Sequence, residues 1–415
     1  MGGTRYLTAR EAAQELGVSV ATLYAYVSRG LVRSEAIGGK RRYRRYRAED
    51  IRRLKERKEQ RRDPARATAG ALDWGTPVME SAITLIADGR MYYRGHDAVA
   101  LSRNCSLEQV AELIWTGNMT RDDRGTLPEV FRASAGNTIP EHPGLEVWEA
   151  GPQQPTEAFG MSLQGAETGD PAAHDVRPAA VARTGARMLR LLVASATRDG
   201  RGSGDTVARA LQRRWVPREE GAAALFDRAL VLCADHELNV SSFTARCVAS
   251  AGATPYAVVV AGLAALGGVK HGGNTGRVEA LLAEAEAAGD PRGVAASRLR
   301  RGEAMPGFGH RLYPEGDPRG AALLASLAAK HPDSEALKLG EDVAEAAGDL
   351  MGERPNVDFA LVVLARVLGL PPGGALALFA LGRTVGWVGH AIEQYEDGRI
   401  IRPRARYVGE QPTNS

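Results

Sequence analysis

Apolar positions recur at three- and four-residue intervals along most of the chain, and the elements they predict are helices. A first unit spans residues 5–60. Thr8-Ala-Arg-Glu11 reads as a capping box opening a helix whose apolar stripe is Ala12, Ala13 and Leu16, and Gly17 breaks it. Ser19 is placed to cap a second helix carrying Val20, Leu23 and Val27, which Gly30 ends. Leu31-Val32 follows, then a Gly38-Gly39 turn flanked by basic residues, then a third helix over residues 48–59. Residues 61–75 form a linker of Arg, Ala, Asp, Pro and Gly. From Gly75 onward the pattern is helical again. Ser106-Leu-Glu-Gln109 caps a helix through Val110, Leu113, Ile114 and Trp115, and further helices are predicted over residues 183–197, 206–213 and 221–234. Residues 119–180 are rich in Gly and Pro and read as loops and short helices. Strand signals are few. The best candidate for a membrane span, residues 257–269, is too short and is interrupted by Gly262, Gly267 and Gly268.

The length of 415 residues suggests two or three domains, and 44% apolar with 25% charged residues excludes a mainly disordered, collagen-like or disulfide-scaffold chain. The net charge of +3 changes the picture only when the chain is divided. Residues 1–66 hold 18 basic and 8 acidic residues, a net of +10, whereas the remainder holds 35 and 42, a net of −7. A basic head on a mildly acidic body points to a polyanion partner for the head. The three cysteines (Cys105, Cys233, Cys247) are odd in number and form no CxxC, so neither a disulfide framework nor a zinc or other metal site is predicted. Together with an N-terminus lacking the apolar core of a signal peptide, this predicts a cytoplasmic protein that does not engage membranes.

Helix, short turn, helix and basic hairpin is the order of a winged helix-turn-helix. The segment YLTAREAAQELGVSVATLYAYVSRGLV, followed by GGKRRYRRYRAEDIRRL, resembles the DNA-binding head of MerR- and excisionase-type proteins. The doubled Arg-Tyr-Arg around Tyr43 and Tyr46 departs from the usual single copy. Residues 40–62 carry 13 basic and 4 acidic residues. A docking module with merely solvated charges fits that run as well, but the helix-turn-helix order in front of it favours DNA. Arg41, Arg42, Arg44, Arg45 and Arg47 would then neutralise phosphates, with the second helix in the major groove and Thr22, Tyr24 and Tyr26 facing bases or phosphates.

Among the eight histidines, three stand in contexts unlike an ordinary core. They lie in Ala234-Asp-His236-Glu-Leu-Asn239, in Val269-Lys-His271-Gly-Gly-Asn274, and in Pro306-Gly-Phe-Gly-His310-Arg311, the last followed by Asp317-Pro-Arg319. Asp358 stands in Asn356-Val-Asp358-Phe359. Each also has a plain structural reading: a loop histidine, a glycine turn, an aspartate capping the next helix. No Walker-type phosphate loop is present. Taken together, however, the segments resemble citrate synthases over about residues 75–410. YYRGHDAVALSRNCSLEQVAELIWTG resembles that family's early YRGYD helix segment. ADHELNVSSFTARCVASAGATPYAVVVAGLAALGGVKHGGN, PGFGHRLYPEGDPR, NVDFALVVLARVLGLPP, FALGRTVGWVGHAIEQ and IIRPRARYVG match its later segments in order.

The resemblance implies a mainly α, two-domain citrate synthase fold preceded by the small winged helix-turn-helix domain. The implied divisions are residues 1–60 for the head, 61–75 for the linker, 76–270 for a large domain, 271–363 for a small domain and 364–415 for a return to the large one. It implies condensation of acetyl-CoA with oxaloacetate and water, with a CoA thioester as co-substrate and no permanently bound cofactor. Asp358 matches the base that removes the methyl proton, His271 the donor to the thioester oxygen, and His310 the group polarising the oxaloacetate carbonyl. His236, Arg319, Arg383 and Arg402 match oxaloacetate-binding positions, and two-carboxylate recognition suits the bidentate guanidinium. Gly307, Gly309 and Arg311 match the CoA-binding segment. Arg402 would come from the partner of a homodimer, and the small domain would close over the large one. Two departures stand out: Cys233 where a histidine is common, either altering oxaloacetate affinity or simply packing, and Lys270 where an apolar residue is usual. Lys270 either keeps His271 neutral or faces solvent, which the reading favours. The motifs also admit a 2-methylcitrate synthase using propionyl-CoA, and a transcription regulator whose synthase-like body senses a metabolite.

Overall fold

A computed structural model of the chain describes residues 6–28, 31–36, 44–48, 50–51, 54, 79–119, 126–133, 155–198 and 205–411. It divides into two compact units, Met1–Glu80 and Ser81–Ser415.

In the first unit, strand β1 (Tyr6–Leu7) leads into helices α1 (Ala9–Leu16) and α2 (Val20–Ser28), followed by β2 (Ser34–Ala36) and β3 (Arg44–Arg47). The capping box is present: the Thr8 side chain accepts from Glu11 N–H, and the Glu11 carboxylate accepts from Thr8 N–H. Gly17 closes α1 in the left-handed region at φ 59°. Ser19 Oγ accepts from Thr22 N–H at 3.1 Å, as the sequence predicts. The three strands pair antiparallel in the order β1-β3-β2, with Leu7 opposite Tyr46 and Glu35 opposite Arg45. Leu7, Ala12, Leu16, Leu23, Val32, Tyr46 and Ile51 form one small core. A bidentate pair between Arg33 and Asp50 fixes the chain beside it, and the Arg33 guanidinium holds the Asp50 carboxyl down at about 2. The Gly38-Gly39 turn, Arg41, Arg42, the residues 61–75 linker and most of the third helix lie outside the described residues.

The second unit opens with a three-stranded meander, β4 (Thr84–Ala87), β5 (Arg90–Tyr93) and β6 (His96–Asp97). This corrects the helical reading of the chain after Gly75 and of the segment around Tyr92. The signal is Asp88-Gly89, both at positive φ (53° and 72°), the two-residue turn that matches the twist of a hairpin. Helices follow: α3 (Ala98–Asn104), α4 (Leu107–Thr116), α5 (Glu129–Arg132), α6 (Pro155–Gly169), α7 (Pro178–Thr197), α8 (Val207–Trp215), α9 (Ala222–Cys233), α10 (Val240–Ser250) and α11 (Pro255–Leu266). Then come α12 (Asn274–Ala288), α13 (Pro291–Arg300), α14 (Pro318–Lys330), α15 (Glu335–Met351), α16 (Val357–Leu368) and α17 (Gly374–Asp397). The long α6 corrects the reading of residues 119–180 as loops and short helices. Its glycines blur the period, but Phe159, Leu163, Ala158 and Ala166 are buried on one side.

Helix α17 is the axis of this unit and packs against α4, α6, α7, α9, α10, α11 and α16. Helices α12 to α16 pack mainly on one another. Among the described residues α17 alone is long and apolar enough, by length and composition, to cross a membrane, and that stretch is wholly buried inside the protein. The sequence reading of residues 257–269 as the best such candidate is corrected accordingly. Gly382 and Gly386 let α17 lie directly on α9: a Cβ there would come within 2.5 Å of the carbonyl oxygens of Leu230 and Ala234.

Gly262 plays the same part between α11 and α17, where a Cβ would stand 2.5 Å from the Trp387 indole. Gly262→Ala is expected to lower stability by about 1–3 kcal/mol through overpacking. Gly276→Ala, in open space on α12, is expected to be neutral or to stabilise by about 0.5–1 kcal/mol. Urea midpoints of the two variants check the contrast.

Candidate active site

Three loops and two helix starts bring the candidate residues together. After α11 the chain folds back on itself. Gly273 N–H donates to the carbonyls of Leu266 and Gly268, and His271 N–H donates to Gly268 O at 2.9 Å. A Cβ on Gly272 would strike Leu266 at 2.7 Å, and one on Gly273 would strike Gly267 O at 2.7 Å, so both positions need glycine. The fold-back sets the His271 ring against the start of α10, with Nε2 2.9 Å from Ser241 Oγ. Lys270 is exposed, in keeping with a solvent-facing side chain.

His236 is held from both sides of the sequence. Tyr93 OH sits 2.9 Å from Val231 O and 3.2 Å from Asp235 O, tying the end of α9 and the following loop to the hairpin. His236 Nε2 lies 3.1 Å from Tyr313 OH. Its ring meets that of His310 edge-on, with centroids 5.0 Å apart. His310 follows a short antiparallel pairing of residues 307–309 with residues 354–356: Asn356 N–H donates to Gly307 O at 2.8 Å, and Gly309 N–H donates to Arg354 O at 2.9 Å. Gly307 stands at φ 85° with no room for a side chain beside Val278 and Phe359. That pairing joins the His310 loop to the start of α16, where Asn356, not Asp358, caps the helix. The capping role considered for Asp358 is therefore not the one it has.

Asp358 sits in the first turn of α16. Its Oδ2 accepts from Asn274 Nδ2 at 3.0 Å, and its Oδ1 is buried without a hydrogen-bond partner among the described residues. Burial raises its carboxyl to about 6, against the pull of the Asn274 bond and the charge of Arg319. Arg319 is buried and makes a bidentate pair with Asp317, at 2.9 and 2.8 Å. Burial opposes its charge, but Asp317 more than compensates and raises its pKa. Arg383 is buried on α17; its Nε donates to Cys233 O at 2.8 Å, while Nη1 has no partner among the described residues. Cys233 itself is fully buried against α17 beside Gly382, its thiol pushed up to about 12 by burial.

Burial and the two arginine charges depress His271 to about 3, while burial and Arg319 depress His310 to about 4. His236 is lowered too, by burial first and then Arg319 and Arg383. All three rings are therefore neutral near pH 7. The Leu312 N–H donates to His310 Nδ1 at 3.2 Å, so the neutral ring carries its proton on Nε2. The cluster thus assembles a buried carboxyl with one bare oxygen, neutral imidazole donors and two guanidinium groups. Such a set suits removal of a weakly acidic C–H proton and binding of an anion.

Of the sequence candidates, His236, His271, His310, Asp358, Arg319 and Arg383 converge here, and Gly307 and Gly309 build the loop beneath His310. Arg311 is exposed beside it. Arg402 is exposed in the irregular segment after α17. Its neighbour Ile401 is bonded through N–H to Ser250 Oγ. That is the far end of α10, about 14 Å along the helix from Ser241. The chain's own Arg402 is therefore not brought to the cluster. Sequence reasoning left Ser241, Asn274, Tyr313 and Asp317 unassigned, although all four stand inside or beside the quoted segments. Among the described residues no group of His, Cys, Asp and Glu is arranged to hold a metal ion.

In the first unit Tyr24 is exposed on α2, and Thr22 is partly spent on capping, its hydroxyl 2.8 Å from Ser19 Oγ. Arg45 pairs with Glu35 at 3.0 Å and lies over the Tyr6 ring, and Arg47 reaches the same carboxylate. The expectation that both act as phosphate ligands is modified: Glu35 already offsets part of their charge. Arg44 is exposed on β3.

The family model described as citrate synthase, C-terminal domain, matches residues 71–404, and a helix-turn-helix domain model matches residues 6–59. The chain is 31% identical to a citrate synthase of Haloferax volcanii over 360 residues, covering 81% of this chain and 95% of that one. It is 34% identical over 192 residues to 2-methylcitrate synthase 2 of Corynebacterium glutamicum, covering 45% and 49% of the two chains. The crystal structure of citrate synthase from Thermotoga maritima superposes with a TM-score of 0.68 at 25% identity, over 82% of this chain and 96% of that one.

The raised carboxyl of Asp358 carries a stability consequence. The native state binds its proton more tightly than the unfolded chain, so this group's contribution falls as pH rises from about 4 to about 6 and stays low above that. The difference amounts to about 3 kcal/mol. Asp358→Asn is expected to raise the urea midpoint at pH 8, with the margin vanishing below pH 4. Equal midpoints at pH 8 would contradict the assignment.

Proposed function

Because the chain belongs to the citrate synthase family, we propose that it joins acetyl-CoA to oxaloacetate through the cluster around Asp358 and then hydrolyses the thioester. It is an enzyme of that family and takes a CoA thioester as co-substrate. The observation that carries the assignment of roles is the Asp358 carboxyl, raised to about 6 and with one oxygen unpartnered in a buried site.

Asp358 Oδ1 takes the methyl proton, and His271 donates a hydrogen bond to the thioester oxygen, which becomes that of an enolate. For His271 to donate from Nδ1, its Nε2 must accept, so the Ser241 hydroxyl must turn its proton from Asn239 Oδ1, 2.7 Å away, towards the ring. His310 donates from Nε2 to the ketone oxygen of oxaloacetate. The enolate carbon bonds to the ketone carbon, and the developing alkoxide takes the Nε2 proton of His310. Water then adds to the thioester carbonyl and CoA leaves as the thiol; of the two protons then in excess, one on Asp358 and one from the new carboxylic acid, one returns to His310 and the other passes to solvent. Arg319 and Arg383 bind the carboxylates, with His236 beside them. Arg402 supplies a further cation from a second copy, which fits its exposure outside its own cluster. Residues 271–363, which carry His271, His310 and Asp358, close over the remainder and exclude water during enolisation. The CoA moiety lies near Gly307, Gly309 and Arg311. The partial match to a 2-methylcitrate synthase supports a second thioester, propionyl-CoA, since one methylene changes pocket preference by only about 1–3 kcal/mol. The helix-turn-helix match supports DNA binding through α2 and the strands behind it, with Tyr24 and Arg44 outward.

CoA release is expected with oxaloacetate and either thioester, and its absence with both overturns the proposal. Turnover should fall about tenfold per pH unit below pH 6, where Asp358 is protonated. Asp358→Asn should lower kcat by about 10²–10⁴. Mixing inactive Arg402→Ala and Asp358→Ala subunits should restore part of the activity, because a mixed dimer holds one complete site; no recovery means that Arg402 is not shared. Deleting residues 1–66 should leave turnover intact and abolish salt-sensitive retention on DNA, and retention that survives the deletion places the DNA contact elsewhere.

A further inference from the structure

Asn274 is the first residue of α12, and Asp358 lies in the first turn of α16. The two helices pack together, so these helix starts face each other. Asn274 makes two bonds that link the His271 loop to Asp358. Its backbone N–H donates to His271 O at 2.9 Å, and its side-chain Nδ2 donates to Asp358 Oδ2 at 3.0 Å. A carboxylate only accepts, so the amide must turn its NH2 to Asp358. The other oxygen, Oδ1, is buried and bare among the described residues. Among the described residues no other side-chain hydrogen bond fixes the rotation of the carboxylate about the Cβ–Cγ bond.

We propose that Asn274 is a positioning residue for the base, tying Asp358 and His271 into one unit and reserving Oδ1 for the proton taken from the thioester methyl. The proposal rests on the reading of Asp358 as base. The amide occupies one lone pair of Oδ2 and lowers its basicity, so the incoming proton lands on Oδ1. The same bond favours the ionised carboxylate and opposes the burial that raises it. Without the amide the carboxylate is free to turn, and its affinity for a proton increases. The backbone bond to His271 survives any substitution at this position except proline. The side chain's contribution can therefore be separated from that of the loop.

The test compares CoA release by the wild type, Asn274→Ala, Asn274→Asp and Asp358→Asn between pH 5 and pH 9. Asn274→Ala should move the acid limb of kcat up by about one pH unit and lower kcat about tenfold on that limb, with KM for oxaloacetate unchanged. Asn274→Asp keeps the shape but sets a like charge against the base, so its limb should move further and kcat at pH 7 should fall by about 10²-fold. Urea midpoints confirm that both variants are folded. If Asp358→Asn is inactive while either folded Asn274 variant keeps the wild-type limb, the positioning role is overturned and the base assignment stands. A raised KM with an unmoved limb marks a merely structural residue and also overturns it. Full turnover by Asp358→Asn removes the base assignment, and this inference with it.

Discussion

The buried carboxylate of Asp317 is the contact on which the site depends. It accepts from the guanidinium of Arg319 through two bonds and from Arg319 N–H at the start of α14. It also accepts from Val357 N–H at the start of α16, at 3.1 Å. One side chain therefore fixes the cationic residue, the helix bearing it and the helix bearing Asp358. A guanidinium as deeply buried as Arg319 is costly unless paired and fully bonded, and Asp317 meets that condition before any substrate arrives. Removing Asp317 would leave the charge uncompensated and take away the carboxylate that joins the starts of α14 and α16.

With Arg319 held as a cation, the titration of its neighbours follows. Burial alone disfavours a charged imidazole, and the arginine charges add to that for His236, His271 and His310. Those same charges favour an ionised Asp358, yet its burial outweighs them and leaves the carboxyl near 6. Burial thus moves acid and base in opposite directions, producing neutral donors and a base still able to hold a proton. Neutral rings keep their N–H groups for hydrogen bonding, and a carboxylate near 6 binds a methyl proton more strongly than one at 3.8.

The local chemistry was legible where its partners are close in sequence. Thr8 with Glu11 and Ser106 with Gln109 are three residues apart, and both capping boxes are present. The Gly272-Gly273 fold-back could be read from the type of residue. The partners that complete the site are distant in sequence: Ser241 reaches 30 residues to His271, His236 reaches 77 to Tyr313, and Asn274 reaches 84 to Asp358. No periodicity encodes such pairs. Helix α6 was hidden for a related reason. Gly160, Gly165 and Gly169 weaken its intrinsic preference, and packing against α7, α11 and α17 supplies what the local sequence lacks. The Arg45 side chain looked free in a basic run because its partner, Glu35, lies on the neighbouring strand.

The division of charge along the chain needs the same correction from bulk to place. In the head, Glu35 and Asp50 already engage Arg33, Arg45 and Arg47, so the excess of basic residues overstates the cations available to a polyanion. The paired arginines are held in fixed directions instead, and an ordered guanidinium loses less freedom on meeting a phosphate than a loose one. In the body the argument runs the other way. That unit is acidic overall, but Arg319 and Arg383 are buried among neutral histidines, where a low dielectric strengthens their field. Net charge describes the solvated surface of each unit. Inside the cluster what counts is where each charge is fixed, Arg319 by the Asp317 carboxylate and Arg383 by the carbonyl of Cys233.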